Sequence, residues 1–147
     1  ADMVAFNEIV PQVNQVETNP LHQQIDAQAN MVKRNVQMEA WAPFGEGRNH
    51  MFSNPVLLEI GEKYGKSVAQ VILRWLMQRD TVALAKSTHI ERMKENLDIF
   101  DFKLSEQDMA SISKLDAKES LFFDHQTPEA VDIFVSMIGE RRKTEEK

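Results

Sequence analysis

Apolar positions along the chain switch between a spacing of two and a helical spacing of three to four. Val13–Glu17 (VNQVE) alternates imperfectly. Residues 36–41 (VQMEAW) alternate cleanly, with Val36, Met38 and Ala40 on one face and Gln37, Glu39 and Trp41 on the other, the signature of a strand. The run VALA at 82–85 has no polar face, which predicts a strand buried on both sides. Helical patterns separate these strands. Pro20 opens one with Leu21, Ile25, Ala29 and Val32. Ser53 is a candidate cap for a second, with Pro55 in its first turn, Val56, Leu57 and Ile60 inward and Gly65 as its stop. Ser67 with Gln70 forms a capping box ahead of Val68, Val71, Ile72, Trp75 and Leu76. Thr88 with Glu91 repeats it, as does Ser105 with Asp108 before Met109, Ile112 and Leu115. Thr127 and Pro128 begin a last helix, with Val131, Phe134 and Met137 or Ile138 apolar, that ends in the charged tail ERRKTEEK. Met3, Val4 and Phe6 read as the second half of a helix, so the sequence is expected to open inside an element.

The predicted order is helix, strand, helix, strand, loop, two paired helices, strand and three helices. Strands alternating with helices indicate βα units and a parallel α/β sheet, here with three strands and two open edges. The length of 147 residues suits one domain, and 42% hydrophobic with 27% charged residues is ordinary for a globular chain. A formal charge of -6 disfavours nucleic acid and anionic membranes as partners. With no cysteine, disulfides, thiolate metal sites and cysteine nucleophiles are excluded, which is compatible with a reducing cytoplasm. No apolar run approaches the ~20 residues of a membrane span, and the N-terminus lacks the pattern of a signal peptide.

In parallel α/β folds, ligands bind at the C-terminal ends of the strands. The first strand carries Asn14 and Gln15, which suit either turn formation or the orientation of a ligand carboxamide. The second runs into Trp41, Ala42, Pro43, Phe44, Gly45 and Glu46; Trp41 serves equally as a core cover or as a flat surface for a planar ring. The third ends in Lys86, Ser87 and Thr88 at a helix start, where free backbone N–H groups favour an anion. Arg92 and Asn96 follow on one helix face. The competing reading is an ordinary capped helix with solvated basic residues. His22, His50, His89 and His125 share no metal-ligand spacing, and Tyr64, the single tyrosine, sits at a helix end where packing is its expected role.

The segments VPQVNQVETNP, EAWAPFG, YGKSVAQVILRW and LAKSTHIERMKENLDIFDFKLSEQDM occur in this order and spacing in the aldo-keto reductases. The chain resembles that family from about Met3 to Asp124, closest to bacterial members similar to diketogluconate or methylglyoxal reductases. The resemblance implies the C-terminal part of a (β/α)8 barrel: strands 6–8 and their helices over 1–125, with a C-terminal helix and charged tail over 126–147. It implies NADPH as cofactor and carbonyl reduction as the full-length activity. By resemblance, Gln15, helped by Asn14, meets the nicotinamide carboxamide, and Trp41 stacks on the ring. Ala42, Pro43, Phe44 and Glu46 follow the pyrophosphate, while Lys86, Ser87, Thr88 and Arg92 hold the 2′-phosphate. Glu95 and Asn96 contact adenine.

Two departures shape the expectation. The family's AYSPLG reads AWAPFG here, so Ala42 lacks a serine hydroxyl. The family's Asp, Tyr, Lys and His tetrad belongs to the first four strands, and no residue here corresponds to it; the fifth strand, with its Ser-Asn pair, is missing too. The chain alone is therefore expected to be an inactive portion of an NADPH-dependent reductase. Open sheet edges predict a homodimer or larger homo-oligomer, and a carbonyl substrate belongs only to a full-length form. The alternative is a non-catalytic remnant that binds nucleotide weakly or engages another protein.

Overall fold

The computed structural model describes residues 2–124 and 127–145, with side chains described over 3–124 and 127–138. His125 and the end of the charged tail lie outside the described residues. The elements are α1 (Asp2–Ala5), β1 (Val13–Glu17), α2 (Ile25–Val32), β2 (Gln37–Trp41), α3 (Pro55–Tyr64), α4 (Val68–Gln78), β3 (Val82–Ala83), α5 (Ile90–Leu97), α6 (Glu106–Ser113) and α7 (Pro128–Glu145). A loop of tight turns, Gly45–Ser53, joins β2 to α3. This is the order the hydrophobic pattern predicts.

The three strands form one parallel sheet in the order β1-β2-β3. Gln15 pairs with Glu39, which pairs in turn with Val82. Because side chains alternate along each strand, Val13, Gln15, Glu39 and Val82 share one face, and Val16, Met38, Ala40 and Ala83 share the other. Helices cover the second face, where Met38 and Ala40 are buried. The first face is open: Val13, Gln15 and Val82 are exposed, as is Leu84 just beyond β3. The expected burial of 82–85 on both faces is thus corrected. The hydrophobic run suits a strand walled on both sides, and only the helix side has a wall here.

The main core lies between the sheet and α3, α4 and α6. Leu57, Ile60, Val71, Ile72, Trp75, Leu76 and Ile112 are buried together there, with Ala40 from the sheet and Met51 from the loop. The Ser67 and Ser105 capping boxes both form, and Gly65 ends α3 in the left-handed conformation at φ 64°.

Three local expectations change. Asn54, not Ser53, caps α3, because its carboxamide oxygen accepts from Val56 and Leu57 while Ser53 donates to the His50 carbonyl. In α2 the inward residues are Met31 and Ala27, whereas Ile25, Ala29 and Val32 are exposed. The helix starts after Gln24 rather than at Pro20, so the inward stripe falls on different positions. The face of α7 that carries Val131, Phe134, Met137 and Ile138 is also exposed; Ala130 is buried, and Phe134 rests edge-on against Phe123 at 5.2 Å.

Candidate functional site

A cleft of about 640 Å³ opens beside the end of β3. Lys86, Ser87, Thr88 and His89 of the β3–α5 connection line one side, with Arg92, Glu95 and Asn96 of α5. Phe44 and Phe52 of the β2–α3 loop, Leu58 of α3, and Ser67, Val68 and Ala69 at the start of α4 line the other. The cleft is basic and polar on one wall and largely apolar on the opposite one.

Side chains of α4 and the turn before it set the position of α5. Gln70 Nε2 donates to the Asp98 carbonyl at 2.7 Å, and Arg74 donates to the Ile99 carbonyl at 3.3 Å. Lys66 bridges Asp98 and Asp101, each at 2.8 Å. Hydrogen bonds to Asp101 and Asp98 raise the Lys66 pKa, and the bond from Lys66 lowers that of Asp101. Ile99 is buried as the hydrophobic anchor. The C-terminal end of α5 is therefore fixed, which turns Arg92 and Asn96, four residues apart on one face, into the cleft.

The start of α5 differs from the expected capping box. His89 is the cap residue and makes no side-chain cap bond. Thr88 lies one position too early to reach the first-turn amides. Ser87 Oγ instead accepts from the His89 amide at 3.1 Å and closes the connection on itself. Among the described residues, none receives a hydrogen bond or ion pair from the side chains of Lys86 or Arg92. Two uncommitted cations and an uncapped helix start thus face the same space, the chemistry of an anion site.

The second strand end is built differently. Trp41 is half-buried, with Phe122 against it at 4.9 Å, and the Arg48 guanidinium lies over the Phe122 ring at 4.2 Å. Ala42 adopts a left-handed φ of 48°, and its carbonyl accepts from Gly45 at 2.9 Å, bending the chain away from the sheet. Pro43 is buried, and Glu46 pairs with Arg48 at 3.6 Å. Of Ala42, Pro43, Phe44 and Glu46, only Phe44 lines the cleft.

At the first strand, Gln15 donates to Glu39 on the open face at 2.5 Å. Asn14 projects to the opposite side, into a groove with Met31 and Asn30. The strand pleat therefore separates the two amides that the sequence reading paired on one carboxamide. Glu17, two residues on, is buried; it accepts from Ser120 Oγ and from the Leu121 amide, tying the segment before α7 across the strand ends.

Of the residues that the resemblance assigns to the cofactor, Phe44, Lys86, Ser87, Thr88, Arg92, Glu95 and Asn96 line this one cleft. It did not assign Phe52, Leu58, Ser67, Val68, Ala69 and His89 to the site. Phe52 and Leu58 are exposed apolar residues that give no periodic signal, and only the tertiary approach of α3 and α4 to α5 puts them in one wall with Val68 and Ala69. Among the described residues, no three His, Asp or Glu side chains converge as a metal site, and no helix is long and apolar enough to cross a membrane.

A parallel βα sheet with two cations and an uncapped helix start beside one strand end is an arrangement that α/β folds use to hold anions. The profile described as "Aldo/keto reductase family" matches residues 2–117, and the chain belongs to that family. It is 40% identical over 126 residues to morphine 6-dehydrogenase of Pseudomonas putida, covering 78% of this chain and 43% of that protein. It is 46% identical over 112 residues to glyoxal reductase of Bacillus subtilis, covering 76% and 40%. Among solved structures, a variant of Gox0644 in complex with NADPH matches with a TM-score of 0.75 at 37% identity, over 80% of this chain and 42% of that one. A Bombyx mori aldo-keto reductase in complex with NADP matches at 0.76 and 30% identity, over 84% and 43%. The chain thus spans about two fifths of the length of these relatives, and its three strands are part of their (β/α)8 barrel.

Proposed function

We propose that this chain is the cofactor-holding portion of an NADPH-dependent carbonyl reductase, and that the cleft beside α5 takes the adenosine 2′-phosphate end of the cofactor. The observation that carries this is the convergence of Lys86, Arg92 and the uncapped start of α5, with no competing partner among the described residues. A dianionic phosphate satisfies both cations and the first-turn amides together. Glu95 and Asn96 then offer an acceptor and an amide to the base, and Ser87 and Thr88 offer hydroxyls. Trp41 and Gln15 stand at the neighbouring strand ends for the nicotinamide. Asn14, on the helix side of β1, supports the strand rather than the ligand. When bound, the cofactor supplies a hydride to a carbonyl; this chain's residues hold and orient it.

The resemblance assigns the family's Asp, Tyr, Lys and His tetrad to barrel strands other than these three, so by this reading the residues here bind nucleotide without reducing carbonyls alone. The open face of the sheet and the unpaired edges of β1 and β3 favour self-association in the cytoplasm, through strand pairing with a second copy. The test is a titration of NADPH and NADH against the purified chain, followed by calorimetry. Binding of NADPH at least tenfold tighter than NADH is expected. No binding of NADPH at millimolar concentration would overturn the cofactor reading and leave a structural or protein-binding role.

A further inference from the structure

Phe52 stands out because nothing in the core requires it. Its neighbour Met51 is fully buried as a plug, whereas Phe52 is 47% exposed. The loop turns sharply to achieve this: Asn49 and His50 hold left-handed φ values of 50° and 57°, a conformation that costs non-glycine residues about 1 kcal/mol each. The result drives Met51 inward and leaves Phe52 on the rim of the cleft. There Phe52 lies against Phe44, with ring centroids 5.8 Å apart and planes tilted by 47°. Leu58, also exposed, extends the same apolar wall. Glu95 and Asn96 of α5 line the same cleft.

We infer that Phe52 is a base-binding residue: it packs on the face of the adenine ring while Glu95 and Asn96 meet the ring's edge. The inference rests on the reading of the cleft as a 2′-phosphoadenosine site and adds to it a contact from the β2–α3 loop. An aromatic surface opposite hydrogen-bonding side chains, with cations at one end, matches a flat heterocycle carrying a phosphate. Stacking tolerates any purine face, so Phe52 contributes affinity, and the edge contacts contribute selectivity.

The experiment titrates adenosine 2′,5′-bisphosphate and the base-free ligand inorganic pyrophosphate against the wild-type chain, Phe52→Ala, Phe52→Leu and Arg92→Ala. Phe52→Ala should weaken adenosine bisphosphate about tenfold, the ordinary effect of losing one stacking partner, and leave pyrophosphate unchanged. Phe52→Leu should recover part of the loss, and Arg92→Ala should weaken both ligands. Upfield shifts of the adenine protons in NMR, lost in Phe52→Ala, report the ring contact directly. If wild type binds the bisphosphate but Phe52→Ala binds it equally, with unchanged adenine shifts, the inference fails and the phosphate site stands. A wild type that binds neither ligand overturns the cofactor reading and this inference with it. Equal weakening of both ligands in a folded Phe52→Ala assigns the residue to cleft shape and also overturns the inference.

Discussion

The Tyr64 hydroxyl donates a hydrogen bond to Asp108 Oδ2 at 2.5 Å. The same carboxylate accepts from Lys63 at 2.9 Å and from the Ser105 hydroxyl at 2.6 Å. The ring of Tyr64 rests beside Phe102 at 5.4 Å. The single tyrosine of the chain thus joins the end of α3 to the start of α6, away from the cleft. Tyr64→Phe should cost about 1 kcal/mol in urea unfolding and leave nucleotide affinity unchanged. Asp108→Ala should cost about 2 kcal/mol, because it removes the cap partner of α6, leaves the Tyr64 hydroxyl without an acceptor and takes the carboxylate from Lys63. A change in nucleotide affinity in Tyr64→Phe would contradict this placement.

Acid should expose the same cluster. Burial pushes the Asp108 carboxyl upward, but the hydrogen bonds from Lys63, Ser105 and Tyr64 outweigh it and hold the group well below the usual carboxylate range. Lys63 is raised, chiefly by its bond to Asp108. In acid the unfolded chain binds the Asp108 proton more readily than the folded one, so stability falls as pH decreases. The contribution is complete above about pH 4, the ordinary carboxylate value, and declines below it. The raised lysine acts in the other direction: its contribution is complete below its ordinary pKa of about 10.4 and is lost as pH rises beyond. Chemical denaturation from pH 2 to 7 should therefore show a steeper acid loss for wild type than for Asp108→Asn.

Element order and most of the core were legible in the sequence because periodicity reports them directly, and the alternation of strands with helices implied the parallel direction. Val68, Val71, Ile72, Trp75 and Leu76 recur at helical spacing and are all buried. The capping boxes at Ser67 and Ser105 formed because an inward apolar stripe follows each and holds the helix in register. The box at Thr88 did not form. No residue of α5 is fully buried, so packing does not fix its first turn, and Ser87 captures the His89 amide instead. Half of the site was legible as a run in sequence, from Lys86 to Asn96. The facing wall of Phe52, Leu58 and Val68 depends on how α3 and α4 dock, which no local pattern contains.

Glu17 should control the segment between α6 and α7. Its carboxylate is 3% exposed and accepts from Ser120, the Leu121 amide and Asn19. Glu17→Ala removes all three acceptances and should cost about 3 kcal/mol. Limited proteolysis should then cut first near 118–124, a segment that Arg48 also tethers through the Leu121 carbonyl. Glu17→Gln keeps an acceptor and should lose about half as much. Cleavage elsewhere first would show that the segment is held by Trp41 and Phe122 rather than by Glu17.

Gly61 reverses an ordinary rule. It lies within α3, where alanine normally stabilises a helix by about 1 kcal/mol over glycine. A Cβ at this position would stand 2.5 Å from the Lys66 carbonyl oxygen, a backbone atom of the turn that leads into α4. That turn is fixed by the Lys66 amide donating to the Gly61 carbonyl at 2.9 Å. Gly61→Ala should therefore destabilise by at least 1–2 kcal/mol. Gly65→Ala, with nothing within 4 Å but a φ of 64°, should lose only about 1 kcal/mol. Urea midpoints of the two variants decide the order; a more stable Gly61→Ala would show that the α3–α4 turn yields.

Carbonyl reduction by the chain alone should be absent even where NADPH binds. The reaction needs a proton donor beside the alkoxide that forms as hydride arrives. Tyr64 is bound to Asp108, and His22 shares a hydrogen bond with Gln24. His89 lines the cleft with Lys86 and Arg92, at the end assigned to the cofactor's phosphate and distant in role from the nicotinamide. Among the described residues beside Trp41 and Gln15, Glu39 already accepts from Gln15, and Glu17 is enclosed by Ser120 and Leu121. NADPH consumption with a panel of aldehydes should stay at the uncatalysed rate, while binding by calorimetry persists. Turnover within the common enzyme range of ~1–1000 s⁻¹ would mean that an acid catalyst is present among these residues, and Tyr64→Phe and His89→Gln would then be the first variants to locate it.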